Sequence, residues 1–187
     1  MDLTIILIAA GVLLLIIILI YNSLINRKNK VEYAFSSIDV MLKKRWDLIP
    51  NLVAAVKEYM QHEREILTKI TEMRAAVMQS QAGSEERFNM ENKLSGMLGQ
   101  LKVAVENYPN LKANENFLQL QGSLNEVEEQ ISAARRAYNA SVLDFNNGIE
   151  MFPMSIFAKL MGYKRKASFE IPPEEREKVN VKDLFKA

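Results

Sequence analysis

The chain has 187 residues, one histidine, no cysteine and a formal net charge of +1, from 24 basic and 23 acidic residues. The balanced charge gives no electrostatic reason to expect nucleic acid as a partner, and the absence of cysteine excludes disulfides, thiolate nucleophiles and thiolate-bound metals. Only seven glycines and five prolines occur among many strong helix formers, which favours an all-α protein of one domain plus an appendage.

The N-terminal residues predict a transmembrane helix. The 19 residues from 3 to 21 carry no charged side chain, and at about 1.5 Å per residue a helix of that length crosses a bilayer. A cleaved signal peptide is disfavoured because Asp2, and no basic side chain, precedes the apolar run. Positions that we assign to the span include Leu3, Ile8, Gly11, Leu15, Ile20 and Tyr21.

Basic residues directly after the span predict its orientation. Arg27, Lys28 and Lys30 follow the apolar run, and no basic residue precedes it. The positive-inside rule therefore puts the N-terminus outside and the body in the cytoplasm. Residues 1–30 form the anchor and its basic juxtamembrane segment.

Helical periodicity predicts a bundle of three long helices over residues 31–162. Apolar residues at alternating steps of four and three from Val31 predict one helix over about 31–80, interrupted only by Arg45 and Glu63. A second helix is expected over about 84–108 and a third over about 114–148.

Local signals mark the ends of these helices. Gly83 can turn the chain and Ser84 can cap the second helix, while Asn114 is the expected cap of the third. A short helix over about 155–161 follows Pro153 and stops at Gly162. The remaining residues, 163–187, are charged and broken by proline, which predicts an extended tail.

The helix lengths predict that residues 31–50 have no partner helix within the chain. If short turns make neighbouring helices antiparallel, the second helix returns only to the level of residue 55 before the third one climbs again. The exposed stripe would then require another copy, a membrane partner or the tail, and we expect self-association as a homo-oligomer. Its residues are Val31, Phe35, Ile38, Leu42 and Trp46.

Two other features have alternative readings. Pro50 either kinks the first helix at the base of the bundle or begins a new helix as its first residue, with Asp47 as the cap. The basic sequence GYKRK (162–166) lies at the membrane-distal end in this arrangement. A solvated turn is therefore favoured there over a lipid-binding patch.

The sequence shows no pattern typical of an enzyme or a metal site. His62 is the single histidine, and Ile66 stands where a zinc protease would need a second one. No GxSxG elbow or glycine-rich phosphate loop occurs. We therefore expect no cofactor, and a surface position for His62.

Four motifs together resemble the bacterial LemA family: RWDLIPNLVAAVKEYMQHE, YPNLKANENFLQLQ, ARRAYNASVLDFN and FPMSIFAKLMGY. The resemblance implies a helical bundle anchored in the bacterial inner membrane with a cytoplasmic body, and it assigns no enzymatic activity. It marks as motif residues, without a chemical role, Asp47, Pro50, Asn51, His62, Pro109, Asn110, Asn114, Asn116, Tyr138 and Asn139.

Two functions follow from these observations. The first is a membrane-anchored scaffold or assembly protein that self-associates and presents helix faces to membrane or cytoplasmic partners. The alternative is an accessory subunit or enzyme with a site inside the bundle, which would require a cavity with converging polar groups.

Overall fold

A computed structural model describes residues 3–169 of the chain. They divide into two compact units. The first contains residues 3–45 and 123–168, and the second contains residues 46–122 together with Phe169. The part of the predicted tail from 170 to 187 lies outside the described residues.

Among the described residues, secondary structure is entirely helical, in agreement with the predicted all-α class. A short 3₁₀ turn, Gln61–Glu63, separates the first two helices. The helices are α1 (Leu3–Lys57), α2 (Arg64–Gln79), α3 (Glu85–Val105), α4 (Pro109–Lys112), α5 (Glu115–Glu150) and α6 (Met154–Leu160).

The prediction of one helix over 31–80 is wrong, because the chain folds back between α1 and α2. In the second unit, Arg74 Nε on α2 donates to the Trp46 carbonyl of α1 at 2.7 Å, which makes the two helices antiparallel. The turn contains neither glycine nor proline, and Met60 within it is fully buried. Folding back buries Met60 in the core. In the sequence, the polar Glu63 was the signal that the apolar stripe of the first helix ended at this turn.

Pro50 lies inside α1 and does not begin a new helix, so the restart alternative is wrong. A proline at this position cannot donate to the carbonyl four residues earlier, which belongs to Trp46. The Arg74 guanidinium donates to that same carbonyl. One long side chain from α2 thus replaces the hydrogen bond that the proline removes and allows the helix to continue.

Several predicted helix ends are confirmed. The Ser84 hydroxyl accepts from the Arg87 amide at 3.1 Å, and the Asn114 side chain accepts from the Phe117 amide at 3.0 Å. Gly83 and Gly162 adopt positive φ angles of 75° and 70°, which glycine tolerates without strain.

In the first unit, α5 runs antiparallel to α1 and packs along it. Arg27 pairs with Asp144, and the rings of Phe35 and Tyr138 meet edge to face with centroids 5.9 Å apart. Farther along, Arg45 pairs with Glu128 at 2.8 Å. Residue numbers rise on one helix as they fall on the other, which establishes the pairing direction.

This pairing contradicts the prediction that residues 31–50 lack a partner within the chain. Val31, Ile38, Leu42 and Trp46 are all buried, and Phe35 is half-buried against Tyr138. The five residues therefore belong to the chain's own core and do not form a free surface for another copy. The prediction was wrong because α5 extends to Glu150, alongside the part of α1 that directly follows the apolar span. The assumed bundle did not include a helix that returns this far towards the span.

The residues after α6 pack back onto α5 in the first unit. The Asn146 side chain donates to the Lys166 carbonyl at 3.0 Å and accepts from the Lys166 amide at 2.9 Å. The rings of Phe145 and Tyr163 lie 5.7 Å apart. Residues 163–168, which we call the strap, are therefore held on α5, and they form no helix or strand of their own.

The Pro50 and Arg74 arrangement predicts a measurable coupling. Arg74→Ala should lower the free energy of unfolding by about 1–3 kcal/mol, because it leaves a helix carbonyl without a donor. Pro50→Ala restores the amide donor, so the same arginine substitution should cost clearly less in that background. Thermal unfolding of the full chain in detergent, followed by circular dichroism, measures both.

The control is Arg64→Ala, which removes an exposed arginine from the same helix. It should change the unfolding midpoint little in either background. Equal costs for Arg74→Ala with and without Pro50 would contradict the proposed replacement of the missing hydrogen bond.

Candidate functional site

Helix α1 begins with a fully exposed apolar surface. Every residue from 3 to 19 is exposed, and this part of the helix is long and apolar enough to cross a membrane. Of the positions assigned to the span, Leu3, Ile8, Leu15 and Tyr21 project freely, whereas Ile20 is 8% exposed. The apolar surface thus requires lipid up to about residue 19, and coverage by the chain begins at Ile20.

One side of the α1–α5 pair is an open groove. It has a volume of about 430 Å³, and small side chains dominate its walls. These side chains are Ala34, Ser37, Ala134, Ala137 and Ser141, and Tyr33 at the edge is 78% exposed. Small residues let another helix approach closely, so this α1–α5 groove can accept a helix or a large side chain.

At the end of the groove nearer to the membrane span, polar residues replace the small ones. Asn26, Asn29 and Lys30 line it there. Next to them, Arg27 pairs with Asp144 and also donates to the Asp144 carbonyl at 3.0 Å. A Cβ atom added to Gly148 would lie 2.8 Å from the Arg27 Cδ atom. The absence of a side chain at Gly148 therefore lets the arginine lie against α5.

The other side of α5 carries the strap and the buried Tyr138. The Tyr138 hydroxyl donates to the Ala167 carbonyl at 2.9 Å, and burial raises the pKa of this phenol above its usual value. Because Tyr138 also contacts Phe35, it joins three parts of the first unit: α1, α5 and the strap.

Comparison with known proteins assigns the family. The LemA family profile matches residues 34–182, which is most of the chain. The chain belongs to the LemA family. The match confirms the resemblance carried by the four sequence motifs.

Curated relatives are similar over most of their length. Protein LemA of Metamycoplasma hominis is 26% identical over 163 residues, covering 87% of this chain and 74% of the relative. Magnetosome protein MamQ 2 of Paramagnetospirillum magneticum is 24% identical over 190 residues, with 88% and 70% covered. Magnetosome protein MamQ of Magnetospirillum gryphiswaldense is 24% identical over 178 residues, with 82% and 65% covered. Together with the long apolar helix, these relatives support a membrane-anchored helical protein.

The LemA motif residues are distributed over both units. In the second unit, Asp47, Pro50 and Asn51 are exposed on α1, and His62 is exposed in the 3₁₀ turn, where a surface histidine was expected. Tyr138 and Asn139 lie on α5 in the first unit.

The one motif cluster lies around the turns of the second unit. Pro109 is the first residue of α4, followed by Asn110, and Asn114 caps α5 just before the exposed Asn116. The Asn114 amide also donates to the Tyr59 hydroxyl at 3.3 Å. Asn114 thus links the turn after α1 to the start of α5, which is a structural role.

Sequence reasoning missed the environment of Trp46. The Arg87 guanidinium lies 5.0 Å from the centre of the Trp46 ring, within the range of cation–π contacts, and Arg74 reaches the backbone of the same residue. The available signal was Pro50, because it implies that the Trp46 carbonyl needs another donor.

Within residues 3–169, no group of three or more His, Asp or Glu side chains is arranged to hold a metal ion. The side-chain contacts of these residues are apolar packing, ion pairs, a cation–π contact, helix caps and hydrogen bonds to backbone carbonyls. The first unit thus provides a groove into which another helix or a large side chain can pack. The end of this groove near the membrane span is polar and positively charged.

Tyr138 predicts a loss of stability at alkaline pH. The pKa of Tyr138 is raised in the folded state. Its contribution to the free energy of unfolding is therefore complete below the ordinary tyrosine pKa near 10 and is lost as pH rises above that value. Tyr138→Phe should cost about 1 kcal/mol at neutral pH through the lost hydrogen bond and should make the alkaline decline shallower. Unfolding midpoints at several pH values would measure this, with the exposed Tyr33→Phe as the control.

A decline of equal steepness in the Tyr138→Phe protein and the parent would contradict this assignment.

Proposed function

We propose that this chain is a membrane-anchored scaffold whose copies assemble side by side through the α1–α5 groove. The observation that carries the proposal is the groove itself, since it lies on the helix that emerges from the membrane and is lined by small side chains. Other membrane or cytoplasmic proteins would be organised by the assembled helices, and no catalytic step is part of this proposal.

The surface for self-association is not the stripe from Val31 to Trp46, because that stripe is used within the chain. The groove lies on the adjacent side of the same helix pair. Tyr33 stands at its edge with 78% of its surface exposed, and aromatic side chains are frequent energetic centres of interfaces.

Membrane anchoring favours this mode of assembly. Copies in one membrane share an orientation. A two-fold axis along the membrane normal therefore places the same residues of both copies at the same distance from the membrane. Tyr33 and the small residues of the groove lie at about the same distance from the membrane span. The aromatic ring of each copy can therefore enter the groove of the other. Confinement to a surface also raises the effective concentration of the copies.

We further propose that the N-terminus lies outside and that the body lies in the cytoplasm of the bacterial inner membrane. Arg27, Lys28 and Lys30 support this orientation under the positive-inside rule. The names of the MamQ relatives associate those proteins with magnetosomes, which are not implied for this chain.

The mass of the full chain in mild detergent tests the proposal. We expect a dimer or larger assembly for the parent. Ala137→Glu should shift the mass to that of a monomer, because it puts a charge and a longer side chain into the groove. Light scattering coupled to size-exclusion chromatography gives the protein mass independently of bound detergent.

Ala140→Glu is the matched control, since Ala140 is exposed on the same helix and does not line the groove. It should leave the assembly intact. A monomeric parent, or equal behaviour of the two glutamate variants, would contradict assembly through the groove.

A further inference from the structure

The short helix α6 and the turn before it expose an unusual apolar surface. Ile156 and Leu160, one helical turn apart, are 52% and 80% exposed, while Ala158 on the opposite side of the helix is buried. In the preceding turn, Met151 and Phe152 are 63% and 81% exposed. A helix on a water-soluble surface normally has the reverse arrangement, with its apolar side inward.

This surface lies at the membrane-proximal end of the first unit. Gly148 contacts Arg27, and α5 ends only two residues later at Glu150. By Tyr163 the chain has returned to the level of Phe145, so α6 belongs to a short excursion beyond the end of α5. The apolar surface of α6 is therefore close to the point where α1 leaves the lipid.

The distances agree with a position in the lipid headgroups. Tyr21 precedes Arg27 by six residues, about 9 Å along a helix. The headgroup layer of one leaflet is roughly 5–8 Å thick. Coverage of α1 by the chain begins at Ile20, one turn beyond the fully buried Leu24, so the chain covers α1 as far as this layer.

The charge of the segment fits an anionic surface. Residues 151–166 contain four basic side chains and no acidic one. Lys159 and Lys164 are exposed, and Arg165 pairs with Glu150. Exposed apolar side chains flanked by basic residues are typical of helices that lie in a membrane interface. The sequence favoured a solvated turn for GYKRK because that segment was expected at the membrane-distal end. Since α5 runs towards the membrane span, GYKRK lies at the membrane-proximal end instead.

We propose that α6 and its preceding turn form a second membrane contact, in which Met151, Phe152, Ile156 and Leu160 enter the leaflet next to α1. Lys159 and Lys164 bind the anionic headgroups of that leaflet. The membrane is chosen over a second copy of the chain because the apolar surface lies near the level where α1 leaves the lipid and is flanked by basic side chains that suit anionic headgroups. This contact does not depend on assembly through the groove.

A depth measurement tests the proposal directly. The chain has no cysteine, so Phe152→Cys and Leu160→Cys each provide one site for an environment-sensitive fluorophore. The full chain is reconstituted into vesicles of phosphatidylcholine and phosphatidylglycerol. We expect both labels to be quenched by nitroxide lipids and protected from aqueous iodide, as a label at Tyr21→Cys would be.

Ala133→Cys is the control, because Ala133 is exposed on α5 and lies 15 residues before Gly148, about 22 Å from that end. Its label should be quenched by iodide and not by the lipids. If the labels at 152 and 160 behave like the label at 133, α6 lies in water and the proposal fails. Protection from both quenchers would show burial by protein, as in contact with another copy, and would also overturn it.

The charge requirement has its own test. Lys159→Gln with Lys164→Gln, made in the Leu160→Cys chain, should reduce quenching by the lipids. Vesicles of phosphatidylcholine alone should reduce quenching of the parent label in the same way. Quenching that is unchanged in both experiments would overturn the role of anionic headgroups.

Discussion

The antiparallel seam between α1 and α5 is the interaction on which the first unit depends. Helix α1 leaves the membrane with an apolar stripe that continues through Leu24, Val31, Ile38 and Leu42, all of them buried. Each such side chain gains about 1.5–3 kcal/mol from burial, so a stripe of this length in water would be strongly unfavourable. Coverage by α5 removes that cost and orders the part of α1 that follows the apolar span.

Polar contacts fix the register of this seam. Arg45 interrupts the apolar stripe in the sequence, yet it is fully buried and its charge is paired with Glu128. At the other end Arg27 pairs with Asp144 and lies against Gly148. A shift of α5 by one turn would separate both pairs and leave a buried guanidinium without its carboxylate, which is costly. The ion pairs thus select one alignment of a seam whose stability is mainly apolar.

Local signals in the sequence predicted the helical class and several helix ends, whereas the pairing of distant helices was not predictable. Ser84, Gly83 and Asn114 act through atoms within a few residues, so their roles follow from the sequence alone. The turn between α1 and α2 has no such signal. The turn forms because folding back buries Met60 and residues of α2 in the core. A periodic apolar pattern does not distinguish one long helix from two antiparallel helices. The groove depends on the same distant pairing, so its residues could not be chosen from the sequence.

The error about the turn also determined where the C-terminal part of the bundle was placed. With one helix over 31–80, the third helix had to climb away from the membrane and carry GYKRK to the distal end. In the first unit α5 instead runs antiparallel to α1 towards the apolar span, and it places α6 near the level of Arg27. A chain that shields its emerging helix with its own residues must bring a later segment to the lipid surface. The exposed apolar side of α6 is then a consequence of where that segment ends, since it meets lipid and not water.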